Sequence, residues 1–321
     1  MHSLLENRHY DLPADDRTAE TVATVYNRAG GSYVAYADGD PHCLFSFEGP
    51  HAYADRYLWS ILETKLMDLR AQGTASIRVL DAGCGPGTWL RRLVSRAKTL
   101  GFTSIVARGF DVADTQIQAA RRMSRDIAEL PGVDLSFDVA DLTDPLPEAD
   151  ASVDLTLCLY SVLSHLPLAS LPKTAAEIAR VTRGHFITTV RSVGSTPSIF
   201  VDSIEKARHF QHDHVRDQCK IELHDGRRFT LRFHLFTAGE LRNCFVDRFA
   251  IEDLRGLDLF HSRFSPDPRW NPASLPNDPR CLDHLARLED AYSHTPGLME
   301  RATHLLLVGR PHRPQDPRPR C

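Results

Sequence analysis

The sequence predicts an α/β chain built on a doubly wound, mostly parallel sheet with helices on both faces. Three observations carry this expectation. From about residue 76 to 192, short apolar runs alternate with segments whose apolar residues recur at helical spacing. The run Val153 to Leu159 reads as a continuous apolar strand, as in a sheet covered on both faces. A strand, Ser76 to Leu80, meets a helix carrying Trp89, Leu90, Leu93, Val94 and Ala97 on one side, and Gly83, Gly85 and Gly87 make the turn between them.

Bulk composition narrows the functional classes. The chain has 321 residues, 25% of them charged and 42% hydrophobic, which is ordinary globular composition. With 38 Lys and Arg against 42 Asp and Glu, the net charge is −4, which leans against a surface built to bind nucleic acid. The seven cysteines, at 43, 84, 158, 219, 244, 281 and 321, never fall in a C-x-x-C arrangement. They read as reduced thiols rather than a zinc ribbon or a disulfide framework. No apolar signal core opens the sequence and no stretch reaches membrane-spanning length, so a cytoplasmic protein is expected.

In chain order, residues 1–20 are polar and expected to be poorly ordered. Val22, Val25, Tyr26 and Ala29 share a helical face that Gly30-Gly31 interrupts, and Tyr33 and Tyr36 follow. A second helix over 51–72 carries Tyr53, Tyr57, Leu58, Ile61, Leu62 and Leu66 on one side. After the glycine turn, Gly101 stops the first crossover helix, and Ser104 to Phe110 forms a second strand ending on Asp111. A helix over 114–130, with Asp114 as its N-cap and Ile117, Ala120, Met123, Ile127 and Leu130 on one face, leads to a third strand over 133–139. Asp141 and Leu142 follow it. The fourth strand exits through Tyr160-Ser161-Val162-Leu163-Ser164-His165-Leu166-Pro167, a helix spans 171–182, and the fifth strand is His185 to Val190.

Beyond Ser192 the plain alternation stops. Residues 193–215 read as a helix-bearing excursion, and Cys219–Leu223 with Arg228–Phe233 as a hairpin. A helix begins at Phe236-Thr237, strands are expected at 249–254 and 304–308, and a helix at 281–292. The Pro-rich 266–279 stretch reads as a loop and 311–321 as a solvated tail.

The chemistry concentrates at the glycine turn. Glycines at every second position leave one wall without side chains, so a ligand can approach the backbone beside the N–H groups that open a helix. Asp81 can accept hydrogen bonds from a cationic or hydroxylated ligand. Asp111 can take both hydroxyls of a ribose, because two carboxylate oxygens match a vicinal diol. A dinucleotide fingerprint would need its third glycine where Thr88 stands, and its acid about 20 residues on. Here the gap from Gly83 to Asp111 is 28.

The stretch D-A-G-C-G-P-G resembles the first motif of class I S-adenosylmethionine-dependent methyltransferases of the small-molecule type. The resemblance covers 76–192 firmly, and 21–75 and 235–309 loosely. It implies a seven-stranded sheet with a reversed final strand, an N-terminal cap over 1–75, a cofactor-binding core over 76–192, an inserted substrate lid over 193–248, and completion of the core over 249–310 before the tail. S-adenosylmethionine (SAM) is then the implied cofactor, contacted by Asp81, Gly83, Cys84, Gly85, Gly87, Asp111, Val112, Asp141, Leu142 and Leu159. Tyr26 and Tyr33 would close over it. Asp141 would bond the adenine amino group, with Asp144 a nearby competitor. His165, in a V-L-x-H-L turn, would either act as general base or brace its loop.

The implied reaction is methyl transfer to an N, O or C atom of a small acceptor, by a monomer or homodimer. Two alternatives stay open: a tRNA-modifying methyltransferase, suggested by residues 285–308, and a non-catalytic SAM-binding protein. The histidines at 209, 212 and 214 could be drawn as a metal cluster, but no partner pair stands at ligand spacing, so no metal is expected. They could instead line a pocket for an anionic acceptor, for which Arg180, Arg183, Arg191, Arg227 and Arg228 are candidate grips.

Overall fold

The computed structural model describes residues 22–28, 44–47, 52–195, 207–224, 226, 228–261 and 279–312. A short helix, α1 (22–28), precedes α2 (Ala52–Ala71), β1 (Ser76–Ala82), α3 (Thr88–Thr99) and β2 (Ser104–Asp111). Then follow α4 (Asp114–Met123), α5 (Arg125–Ala128), β3 (Val133–Val139), β4 (Val153–Cys158), α6 (Leu171–Val181) and β5 (Thr182–Arg191). The remainder is β6 (Ala207–Asp213), β7 (Gln218–Leu223), β8 (Arg228–Arg232), α7 (Ala238–Phe245), β9 (Phe249–Leu257), α8 (Pro279–Tyr292) and β10 (His304–Pro311). Among the described residues no helix is long and apolar enough to cross a membrane.

Seven strands form one sheet in the order β3-β2-β1-β4-β5-β10-β9. β1, β2, β3, β4 and β5 pair in parallel, and β10 runs antiparallel to both β5 and β9. The reversed strand is therefore present, inserted between β5 and β9. Alternate residues of β1 explain the double winding. Ile77 and Val79 join a core with α2, α3 and α4 residues such as Leu58, Leu90 and Ile117. Leu80 and Ala82 join a second core with Ile178 of α6 and Phe245 of α7. Each cluster removes apolar surface from water on its own face of the sheet.

The chain leaves β1 toward β2 on one side and returns to it as β4 on the other. That reversal places a crevice outside the carboxyl end of β1, where open α/β sheets bind ligands.

Three expectations need correction. The helix expected over 114–130 breaks at Ser124, a weak helix former, so that the chain can turn and bring Val133 beside Ile105. Leu130 consequently lies on the surface. Asp114 is the first helical residue rather than the cap; Ala113 occupies that position and its N–H is held by Asp111 Oδ1 at 2.9 Å. The helix expected within 193–215 is absent where the chain is described: residues 207–213 are a strand of a separate antiparallel sheet, β6-β7-β8. The hairpin over 219–233 forms as expected.

Candidate active site

The turn between β1 and α3 is folded by its own backbone. Gly83 N–H and Cys84 N–H both donate to the Phe110 carbonyl, at 2.8 and 2.9 Å, and Gly87 N–H donates to the Cys84 carbonyl at 2.9 Å. Gly83, Gly85 and Gly87 all have positive φ, at 78°, 50° and 78°. Packing adds a second demand at two of them. Val162 fills the space a Cβ on Gly83 would need, and a Cβ on Gly87 would lie 2.8 Å from the Phe137 ring. The bare wall read as room for a ligand is thus partly room for the protein itself.

α3 opens at this turn with no capping side chain and no acidic residue in its first turn. The positive end of its dipole therefore points at the turn. Beneath the turn lies Asp81, 1% exposed, with Oδ2 buried and lacking a hydrogen-bond partner. Burial, and then the neighbouring Asp111, push its carboxyl up to about 7. An unpartnered buried acid is costly, and a cationic donor placed there would remove that cost. Cys84 is buried, packs beside Gly109, and has its thiol raised by burial.

Asp111, at the end of β2, braces the same turn. Its Oδ2 accepts from Gly85 N–H at 3.0 Å and its Oδ1 from Ala113 N–H at 2.9 Å. Burial raises its pKa against the lowering effect of these backbone bonds. Val112, beside it, is half-buried. Beyond β3, Asp141 Oδ1 accepts from the N–H and hydroxyl of Thr143, both at 2.8 Å. Asp144 is exposed. Leu142 is buried with Leu80, Ala82 and Phe110, and Leu159 lies in the opposite core.

The exit of β4 carries a feature that sequence reading missed. Tyr160 and Ser161 both adopt positive φ, at 53° and 73°. Two consecutive non-glycine residues in that region are strained, and strain of this kind gathers at functional sites. Neighbours hold the conformation: Tyr160 N–H donates to Thr189 Oγ1 at 2.7 Å, and Ser161 N–H to the Thr189 carbonyl at 2.9 Å. The Tyr160 hydroxyl donates to Asp55 Oδ1 of α2. Its ring stacks on Trp89 at 6.2 Å and stands edge-on to His304 at 5.4 Å.

His165 is buried and uses both ring nitrogens. Nδ1 lies 3.0 Å from the Arg232 carbonyl and Nε2 lies 3.0 Å from the Tyr26 hydroxyl. Burial lowers its pKa to about 4, so the ring is neutral near pH 7. A weak base with both nitrogens engaged favours the bracing role over the general-base role. α1 has a second anchor, because Asn27 Oδ1 accepts from the N–H and hydroxyl of Thr115, each at 3.0 Å. Val25 packs into the core of the small sheet with Cys219, Ile221, Phe229, Leu231 and Phe233. No sequence signal marked Asn27 or Thr115. Tyr33, Tyr36, Arg227 and the loop over 266–278 lie outside the described residues.

The other constellations separate. On β6, His209 and His212 are three apart along a strand and so face opposite ways, unlike on the expected helix. His212 Nε2 donates to the Phe233 carbonyl at 2.8 Å, and its ring meets His214 at 4.3 Å. Among the described residues no three His, Cys, Asp or Glu side chains are grouped to hold a metal ion.

Most of the arginines proposed as anion grips are committed elsewhere. Arg180 bonds Glu177, Asp150 and the Leu146 and Glu148 carbonyls, and Arg183 pairs with Asp154. Both stand at the amino ends of β4 and β5, away from the crevice. Arg228 pairs with Glu222 on the small sheet. Arg191 is buried at the carboxyl end of β5, with Nη1 3.5 Å from His304 Nε2.

Comparison with known proteins bears on this geometry. Residues 79–185 match the model of a methyltransferase domain. No curated protein matches the chain. Among solved structures, the [4+2]-cyclase SpnF aligns at 18% identity over 91% of this chain and 96% of its own, with a TM-score of 0.52. Magnesium protoporphyrin IX methyltransferase (ChlM) from Synechocystis PCC 6803, with bound SAH, aligns at 14% identity over 91% and 99%, TM-score 0.49. Geranyl diphosphate C-methyltransferase from Streptomyces coelicolor A3(2) aligns at 16% identity over 93% and 99%, TM-score 0.48. The likeness to the cyclase establishes a shared fold, and fold alone names no chemistry.

Proposed function

We propose, on the premise that residues 79–185 are a class I S-adenosylmethionine-dependent methyltransferase domain, that the chain moves a methyl group from SAM to an N, O or C atom of a small-molecule acceptor. One observation carries the placement of the donor. The buried, unpartnered Asp81 Oδ2 lies under a glycine turn that opens a helix free of acidic residues in its first turn. An ammonium beside an acid and a carboxylate beside a helix start are together the two charges of an amino-acid moiety.

When bound, SAM supplies a methyl group already activated on a sulfonium. The chain's own residues then have four tasks. Gly83, Cys84, Gly85 and Gly87 let the donor lie against the backbone. Asp111 offers its carboxylate to the ribose, with Val112 beside it. Asp141 takes the adenine edge, while Leu142 and Leu159 set the apolar floor from within the two cores. Tyr26 covers the donor, and His165 braces that cover. Holding donor and acceptor in line and excluding water can supply much of the rate without an obligatory base.

The acceptor lies between the β4 exit and the small sheet, which, together with Val25 of α1, we read as the lid. Arg191, at the carboxyl end of β5, is a candidate grip at that edge for an anionic acceptor. Titration of wild type and Asp111→Ala with SAM, S-adenosylhomocysteine (SAH) and NAD tests the assignment. Binding of both sulfur nucleotides, weakened in the variant and absent for NAD, supports it. Failure of either sulfur nucleotide to bind the nucleotide-free protein would sink it.

A further inference from the structure

Where β4 leaves the sheet, two adjacent threonines tie it to β5. Thr188 Oγ1 donates to the carbonyl of Cys158, the last residue of β4, at 2.6 Å. Thr189 holds the two residues beyond Leu159. Its Oγ1 accepts from Tyr160 N–H at 2.7 Å, and its carbonyl accepts from Ser161 N–H at 2.9 Å. The two ties differ in what they fasten. Thr188 fastens regular strand, whereas Thr189 fastens the pair whose φ angles are positive, at 53° and 73°. That conformation is unfavourable at each non-glycine residue and persists only where neighbours impose it. Thr189 is buried, so water does not compete for its hydroxyl.

The strained pair sets the side chains that meet both ends of the glycine turn. Val162, next in the chain, fills the space beside Gly83 where the turn begins. The Tyr160 ring stacks on Trp89, the second residue of α3, at 6.2 Å between centroids. Asp55 holds the Tyr160 hydroxyl, which fixes the ring and leaves the backbone to Thr189. The turn from Gly83 to the start of α3 is thus bracketed by Val162 and Tyr160. Their placement depends on two φ angles that Thr189 imposes.

We infer that Thr189 is a positioning residue for the donor: by holding Tyr160 and Ser161 left-handed, it keeps the glycine turn in the shape that receives SAM. This deepens the proposed function and rests on it, since the glycine turn is taken as the donor's seat. Thr189 acts only through the β4 exit.

Dissociation constants for SAM and SAH, measured by calorimetry on the full chain beside thermal unfolding, test this. Thr189→Val keeps the branched shape and removes the acceptor, and both constants are expected to rise about tenfold. Thr189→Ser restores the acceptor and is expected to return them to within about twofold of wild type. Adding Ser161→Gly to Thr189→Val should recover part of the loss, because glycine takes positive φ without being held. Ser161→Val reads the same point with Thr189 intact, since a branched side chain resists positive φ, and should weaken both ligands about tenfold. Thr188→Val is the control. It removes a buried bond between the same two strands and should lower the unfolding temperature while moving the constants by less than about twofold.

Unchanged donor affinity in Thr189→Val or in Ser161→Val overturns the inference and leaves Thr189 a plain strand tie. Equal losses of affinity in Thr188→Val and Thr189→Val overturn it as well, and so does a double variant with no recovery. Wild-type protein that binds neither nucleotide overturns the proposed function itself, a result distinct from all of these, in which the wild type binds.

Discussion

Val162 occupies the space that a side chain on Gly83 would require, so the exit of β4 and the turn after β1 are built against each other. Gly83 also has φ at 78°, where a Cβ is strained whatever surrounds it. Gly83→Ala therefore meets both penalties at once. We expect a loss of about 2 kcal/mol or more in stability, and a loss of SAM binding of at least about tenfold, since the turn must open to relieve Val162. Val162→Ala in the same chain should restore part of the stability, because it removes the clash but not the φ strain. Thermal unfolding and calorimetric titration of the single and double variants read this directly.

Asp81 sets a pH dependence whose sign follows from its environment. Its carboxyl is raised to about 7 from an ordinary value of 3.8, by burial first and Asp111 second. A carboxyl raised on folding stabilises the ligand-free protein fully below its unfolded value, and that contribution is lost as pH rises through the folded value. The free protein should thus lose stability between about pH 4 and 7 from this group, and Asp81→Asn should flatten that portion of the curve. SAM affinity should run the other way, rising from pH 6 to 8 as the carboxylate forms to meet a cationic ligand. The variant should bind SAM at least about tenfold more weakly, without that pH slope. Equal affinity at pH 6 and 8 would place the ligand's charge elsewhere.

Much of this was legible because β–α units announce themselves. Strands β1 to β4 fall within two residues of the periodicity at every end, and the acids at the ends of β1 and β2 lie where carboxyl-end chemistry must be. β6 was not legible: Ala207-Arg208-His209-Phe210-Gln211-His212-Asp213 has no apolar alternation, since a strand at the edge of a small sheet buries little. Tyr160 and Ser161 were missed because a left-handed conformation at a non-glycine residue is imposed by neighbours such as Thr189, not encoded in the residue itself. The reading of Arg180 and Arg183 failed on geometry. Residues that precede or open a parallel strand stand at the end opposite the crevice, and composition alone says nothing of ends.

Val25 ties α1 to the small sheet, being 3% exposed among Cys219, Ile221, Phe229 and Leu231. This cluster is separate from the two that flank the main sheet. Val25→Asp buries a charge without a partner and should detach α1 from the small sheet while leaving the central core folded. Hydrogen exchange should rise in 22–28 and 218–232 and stay unchanged in β1, β4 and β5. SAM binding should weaken severalfold as the cover loosens. Uniform loss of protection throughout the main sheet would contradict a small sheet with its own core.

Glu289 of α8 is fully buried and holds the chain beyond β9 by its backbone. Its carboxylate accepts from the N–H groups of Leu259, Phe260 and His261 at 3.0, 2.7 and 3.2 Å, and meets His261 Nδ1 at 3.2 Å. That network fixes His261 against Tyr53 of α2, with ring centroids 4.3 Å apart and planes 14° from parallel. One side chain thus links α8, the end of β9 and α2. Glu289→Ala would leave one buried and two part-buried N–H groups without their acceptor and open a cavity beside them, at a cost of about 3 kcal/mol or more. Glu289→Gln keeps the shape and one acceptor oxygen, and should cost less than half as much. Chemical denaturation of the two variants reads the difference. Near-equal losses would mean that the space Glu289 fills, rather than the bonds it accepts, is what holds α8 in place.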